Sequence, residues 1–230
     1  MDLGIVTSFY NGYDSYIQRW ANSICMQSIK PSKVIIVMSG PVGDINNVKA
    51  AENILNLRKI NYKLIILYEH KGMGYARNKA VEACDTEWIM YLDADDALLP
   101  DAIQNIAKYE KDTDVICTGL KILRGNSVRE KYYFKSSNAR AKQGINCSCS
   151  HSPYRKKFWE LSPYIEQNDF CEQALWLGFA QQGARFEGTK ELCTIYYSRK
   201  NGHNSSMTKQ DKIAAYKQKK RFVNEGVKHD

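Results

Sequence analysis

The chain has 230 residues, enough for one sizeable core or one domain with an appended segment, and a formal net charge of +8. No run of about 18 apolar residues occurs, so no transmembrane helix is expected. The start MDLGIVTSFYNG has neither the basic nor the long apolar part of a signal peptide, so a cytoplasmic protein is expected. Seven scattered cysteines, an odd number, argue against a disulfide framework and for reduced, packed thiols.

Leu3 to Phe9, LGIVTSF, is a short apolar run with β-branched residues that stops in the turn Tyr10-Asn11-Gly12; it predicts the first strand. Asp14 can cap the next segment, where Tyr16, Ile17, Trp20, Ile24 and Cys25 recur at three and four residues and predict a core-facing helix. Lys33 to Met38, KVIIVM, reads as a strand buried on both faces. Asp44 to Arg58 places Val48, Ala51, Ile54 and Leu55 at helical spacing, and Tyr62 to Tyr68 predicts a third strand. This alternation predicts a parallel sheet with helices packed on it in residues 1–100.

The most informative stretch runs from Gly72 to Asp101. Ala76 to Cys84 predicts a helix with Ala76, Ala80 and Val81 on its apolar face. Trp88 to Leu92 predicts a strand that ends in Asp93-Ala94-Asp95-Asp96, three carboxylates in four residues. A buried strand delivers such a cluster to the sheet's carboxyl edge, where open α/β sheets bind ligands. The carboxylates repel one another unless a cation or donors compensate, and Mg2+ or Mn2+ suits oxygen ligands. The pattern therefore predicts a metal and phosphate site, although the same acids could form a solvated turn before the helix near Leu98. Arg77, in the first turn of its helix, can bind phosphate oxygens by two parallel hydrogen bonds, or pair with Glu82 or Asp85.

Downstream, Pro100 to Tyr109 predicts a helix, Val115 to Leu123 a strand, Gly125-Asn126 a turn and Lys131 to Phe134 a hairpin partner. Residues 135–152 are polar and weakly periodic, as loops flanking active sites often are. Cys147, Cys149 and His151 have poor spacing for zinc and lack a fourth ligand. Pro153 to Trp159 predicts a short helix, Asn168 or Asp169 starts another, and Glu191 to Ser198 predicts a last strand. From Thr208 to Asp230, seven Lys or Arg face three Asp or Glu, about half of the net charge. This basic helix or tail, 207–230, suits a membrane surface, nucleic acid or packing on the domain.

Gly72, Ala76-Arg77-Asn78 and Leu92-Asp93-Ala94-Asp95-Asp96, in this order and spacing, resemble the family 2 glycosyltransferases, enzymes of the GT-A fold with an Asp-x-Asp metal motif. The resemblance covers about residues 3–206. It implies an α/β domain of GT-A type, Rossmann-like and mostly parallel, with a nucleotide-sugar half (1–100) and an acceptor half (101–206). It implies that Tyr10-Asn11 packs on the nucleotide base, that Asp93 and Asp95 hold Mn2+ or Mg2+ on the diphosphate, or Asp93 the ribose, and that Asp169 is the general base. Asp169-x-x-Glu172 also reads as a capping box. Where the family has an acid at the end of the second strand this chain has Ser39, which can still make one hydrogen bond to the base but leaves its identity open. The segment after Tyr197 resembles the family's closing segment over the diphosphate, with His203 as a third metal ligand, a phosphate donor or a loop residue without a role.

The resulting expectation is an inverting, metal-dependent transfer from a nucleotide-sugar donor to a glycan or lipid-linked acceptor. Two alternatives stay open. The basic surface could engage DNA, with a modified base as acceptor, and the fold could serve as a non-catalytic nucleotide- or nucleic-acid-binding module. Peripheral membrane contact through the tail is a further expectation.

Overall fold

The computed structural model describes residues 1–41, 44–133, 148–166, 171–199, 217 and 221–226. Four apolar runs, β1 (Leu3–Phe9), β2 (Lys33–Ser39), β3 (Tyr62–Leu67) and β4 (Trp88–Tyr91), pair in parallel in the order β3-β2-β1-β4. Helices α1 (Ile17–Cys25), α2 (Ile45–Leu57) and α3 (Met73–Glu82) connect them. Successive side chains of a strand point to opposite faces, so each strand feeds two cores. Ile5, Ile36 and Met90 pack with Trp20, Ile24 and Val48 on one face. Val6, Ile35, Val37 and Ile89 pack with Ala76, Ala80 and Val81 on the other. The expected parallel half with helices on its faces is thus present.

The second half differs in detail from the sequence reading. After the acidic turn, β5 (Ala97–Leu98) leaves to pair with β9 (Phe186–Tyr197), so the next helix, α4, spans Ala102–Ala107 rather than starting at Pro100. β6 (Val115–Arg124) turns tightly at Gly125-Asn126 into β7, which is Ser127–Lys131 and not Lys131 to Phe134. A two-residue turn with Gly125 at φ +56° lets Arg124 oppose Ser127 at once. The helix expected from Pro153 begins as a strand, β8 (Tyr154–Arg155), wedged antiparallel between β4 and β6; only Lys156–Leu161 is helical, α5. α6 (Cys171–Gln181) then leads to β9, which runs parallel to β6. The sheet is therefore mixed, in the order β3-β2-β1-β4-β8-β6-β9-β5 with β7 on β6.

Two further expectations meet the structure here. The six cysteines among the described residues are free and buried, and no helix among those residues is long and apolar enough to cross a membrane. Of the basic tail, residues 221–225 are helical, and Phe222 packs on the core face that also holds α6, with its carbonyl accepting from Gln181.

Gly74, in the first turn of α3, lies where the chain at Ile165 crosses it. A Cβ there would sit 1.8 Å from the Ile165 carbonyl oxygen, a backbone atom that cannot swing away. Gly74→Ala is expected to lower unfolding free energy by about 1–3 kcal/mol. Denaturant titration checks it, and an unchanged midpoint would show that the crossing can yield.

Candidate active site

The acidic turn owes its position to β4. The Leu92 amide donates to Val6, the Asp96 amide closes a turn onto the Asp93 carbonyl, and the Trp20 indole of α1 donates to the Leu92 carbonyl at 3.0 Å. Asp93 and Asp95 therefore stand at the carboxyl edge beside the ends of β1 and β2. A cleft of about 590 Å³ opens there; Tyr10, Ser39, Arg77, Asp93, Asp95 and Glu172 are among its lining residues.

Three cations of the chain compensate the acids. The Arg77 guanidinium, 3% exposed, donates to Glu172 Oε1 at 2.5 Å and to Asp93 Oδ1 at 3.2 Å, and lies 4.4 Å over the Tyr91 ring. The buried His151 places Nε2 3.1 Å from Oδ2 of both Asp93 and Asp96. Asp96 also accepts from the Tyr197 amide at 3.0 Å. Arg199 pairs with the Asp95 carboxylate, while Arg19, stacked 3.6 Å over Tyr197, donates to the Asp95 carbonyl. The start of α6 and the end of β9 are thereby both tied to the acidic turn.

This arrangement separates the carboxyls electrostatically. Burial pushes Asp93 up, but the His151 hydrogen bond and the Arg77 and His151 charges outweigh it and hold the group at about 2. Asp95 is raised to about 6 by burial and by the charges of Asp93 and Asp96, with Arg199 opposing. Burial lowers His151, yet its hydrogen bonds and charge contacts with Asp93 and Asp96 dominate and keep it well above the usual imidazole value.

The expected site residues fall into three groups. Tyr10, Ser39, Arg77, Asp93 and Asp95 line one cleft. Tyr10 is half exposed, its ring 4.9 Å from that of Tyr13 and 5.3 Å from that of His70, whose Nδ1 meets the Ser39 hydroxyl at 3.2 Å. Asn11 sits on the exposed turn beyond and is not among the cleft's lining residues. Asp169 and His203 lie outside the described residues. Arg77 meets neither Glu82 nor Asp85: its donors go to Glu172, Asp93 and Cys171 within the fold.

Sequence reasoning gave Glu172 and His151 no part in the site, and placed Arg199 only within the closing segment after Tyr197. Glu172 reads locally as a helix-capping acid, and His151 as half of a zinc pattern. Cys149 instead sits within reach of Thr118 and Ser152, while His151 turns to the aspartates. The signal for Glu172 was an acid in the first turn of an apolar helix, which has no meaning until Arg77 is brought to it from 95 residues away.

The donor set offers a divalent cation two places, the first at Asp95. Oδ1 of Asp93 is engaged by Arg77 and Oδ2 by His151, and Asp96 is fully buried; Asp95 carries a raised carboxyl that Arg199 and a backbone hydrogen bond offset only in part. A cation at Asp95 would relieve that repulsion. The ligand atoms of Asp93, Asp96 and His151, all within 4.8 Å of one another, form a second arrangement able to hold a metal ion.

Residues 4–172 match the family described as Glycosyl transferase family 2. An uncharacterized glycosyltransferase of Methanocaldococcus jannaschii is 31% identical over 144 residues, covering 58% of this chain and 48% of that protein. The chain thus spans about half the length of that relative. Among solved structures, Staphylococcus aureus TarS in complex with UDP-GlcNAc superposes with a TM-score of 0.74 at 20% identity, over 90% of this chain and 62% of that one. The mannosyltransferase PcManGT of Pyrobaculum calidifontis, in complex with GDP-Man and Mn2+, gives a TM-score of 0.74 at 16% identity, over 100% and 66%. Both have the same curled mixed α/β architecture of GT-A type. With three quarters of its length matched by the family and the acidic turn at the mouth of the cleft, the chain belongs to glycosyl transferase family 2.

Proposed function

We propose that the chain is an inverting, metal-dependent glycosyltransferase that moves a sugar from a nucleotide-sugar donor to a hydroxyl of a glycan or lipid-linked acceptor. The observation that carries this reading is that Glu172 and the acidic turn face one cleft, with Arg77 bound to both. The ligands of the two solved neighbours, UDP-GlcNAc in one and GDP-Man with Mn2+ in the other, support a nucleotide-sugar donor.

In this reading Tyr10 and Tyr13 stack on the base, and Ser39 with His70 offers it hydrogen bonds. Asp95 would hold Mn2+ or Mg2+, with Asp93 and His203 as further candidate ligands; the ion, when bound, neutralises charge developing on the departing diphosphate. Arg199, already beside Asp95, is in reach of the same anion. Glu172 takes the acceptor hydroxyl's proton as its oxygen bonds to the anomeric carbon, on the face opposite the bond breaking to the diphosphate. Arg77 orients Glu172 and Asp93 rather than touching phosphate. Asp169, the base expected from the sequence, is the competitor for Glu172's role. A DNA acceptor gains nothing from these relatives, and the acids and cations gathered at the cleft favour an enzyme over a non-catalytic module.

Thermal unfolding with a panel of nucleoside diphosphates and nucleotide sugars, with and without Mn2+, tests the donor site. A cognate nucleotide at about a hundredfold over its Kd is expected to raise the melting temperature by about 5–10 °C, and more with metal than without. Absence of a shift for every base would sink the reading.

A further inference from the structure

The β6–β7 hairpin contributes one wall of the cleft. In its antiparallel register Leu120 opposes Lys131, Ile122 opposes Arg129 and Arg124 opposes Ser127. Opposed residues share a face, and alternate residues along a strand share it too. Leu120, Ile122 and Lys131 line the cleft, so Arg124 and Arg129 stand on the cleft face beside them. All three cations are exposed, and none makes an ion pair among the described residues. The hairpin's one acid, Glu130, lies on the opposite face, across from Lys121.

Three like charges on neighbouring positions of one sheet face repel one another, a cost that an anionic occupant would offset. The chain continues the bias: between Glu130 and Glu160 the sequence contains no Asp or Glu and includes Lys135, Arg140 and Lys142. The acids of the cleft, by contrast, already have cations of the chain beside them, Arg77, His151 and Arg199. Tyr133, Trp176 and Tyr196 also line the cleft, the last held opposite Ile122 by the β6–β9 pairing. Such a wall suits the faces of sugar rings or a polyol chain.

We propose that the cleft face of the β6–β7 hairpin is an acceptor-binding surface for an anionic saccharide or polyol-phosphate chain, held by Arg124, Arg129 and Lys131 while one of its hydroxyls reaches Glu172. This rests on the transferase reading for the role of the bound chain as acceptor. A neutral glycan would leave the three charges without an anionic partner, Lys131 keeping only its contact with the Tyr133 ring at 4.8 Å.

The test compares the wild type with the Arg124→Gln, Arg129→Gln, Lys131→Gln triple variant. The probes are an oligosaccharide of alternating uronic acid and N-acetylhexosamine, a glycerol-phosphate oligomer, a neutral N-acetylhexosamine oligomer and a single-stranded oligodeoxynucleotide. Binding is followed as salt is raised, and nucleotide-induced thermal shift is measured in both proteins as the control for fold and donor site. The wild type should bind one of the anionic chains at least about tenfold tighter than the neutral one, with the preference fading in salt. The variant should lose about tenfold for that chain alone, each exposed contact counting for roughly a factor of two. The two anionic probes distinguish carboxylate from phosphate. Equal binding of neutral and anionic chains, an unchanged variant, or tighter binding of the oligodeoxynucleotide would overturn the proposal. A wild type that binds nucleotide without anion preference refutes this proposal alone. Salt-sensitive binding of an anionic chain with no nucleotide shift supports the surface and refutes the transferase reading instead.

Discussion

Glu172→Gln is expected to lower kcat for transfer by about 10²–10⁴-fold while donor affinity stays within about twofold. Glutamine keeps the shape and an oxygen for Arg77 but cannot take a proton from an acceptor hydroxyl. Donor binding is spared because the base and the sugar nucleotide meet only at the reacting carbon. The comparison that gives this result its meaning is Asp169→Asn, measured in parallel for kcat and for nucleotide-induced thermal shift. If Glu172→Gln keeps full turnover while Asp169→Asn abolishes it, the base is the residue expected from the sequence and Glu172 only braces Arg77. Because that brace is a buried charge pair, with the Arg77 side chain 3% exposed, the melting temperature of each variant is recorded before its rate is compared.

The second large effect belongs to Asp95. Asp95→Asn is expected to weaken Mn2+-dependent nucleotide binding by at least about 10–100-fold, measured by titration calorimetry with and without metal. The raised carboxyl also sets a pH dependence. With a folded-state value of about 6 against 3.8 in the unfolded chain, the group is protonated in the metal-free fold below about pH 6. Cation binding should therefore fall as the pH drops through that region, because the proton and the metal compete for the same oxygens. For stability the sign is opposite to that of a salt-bridged acid. The raised group favours the fold fully below pH 3.8, and this contribution is lost as the pH rises through about 6. In metal-free buffer above pH 6, Asp95→Asn should thus be more stable than the wild type, by about 1–3 kcal/mol. Equal nucleotide affinity in variant and wild type, with metal present, would remove Asp95 from the metal site.

The parallel half of the fold was legible in the sequence because its rules are local. Apolar runs such as LGIVTSF and KVIIVM with helical periods between them prescribe strand, helix and strand by spacing alone. The abrupt end of Trp88–Tyr91 in three acids placed the site at the sheet's carboxyl edge for the same reason. The two-residue strands β5 and β8 have no period to read: Ala97-Leu98 and Tyr154-Arg155 become strands because β9, β4 and β6 present unpaired edges to them. The partners in the site were equally hidden. Arg77 meets Glu172 across 95 residues, His151 meets Asp93 across 58, and Arg199 meets Asp95 across 104. By itself the sequence determined the four strands of the parallel half, the helices between them and the acidic turn, since each follows from neighbours a few residues apart. Only the tertiary structure decided which cation compensates which acid, because a charge selects its partner by distance in space and burial strengthens that choice.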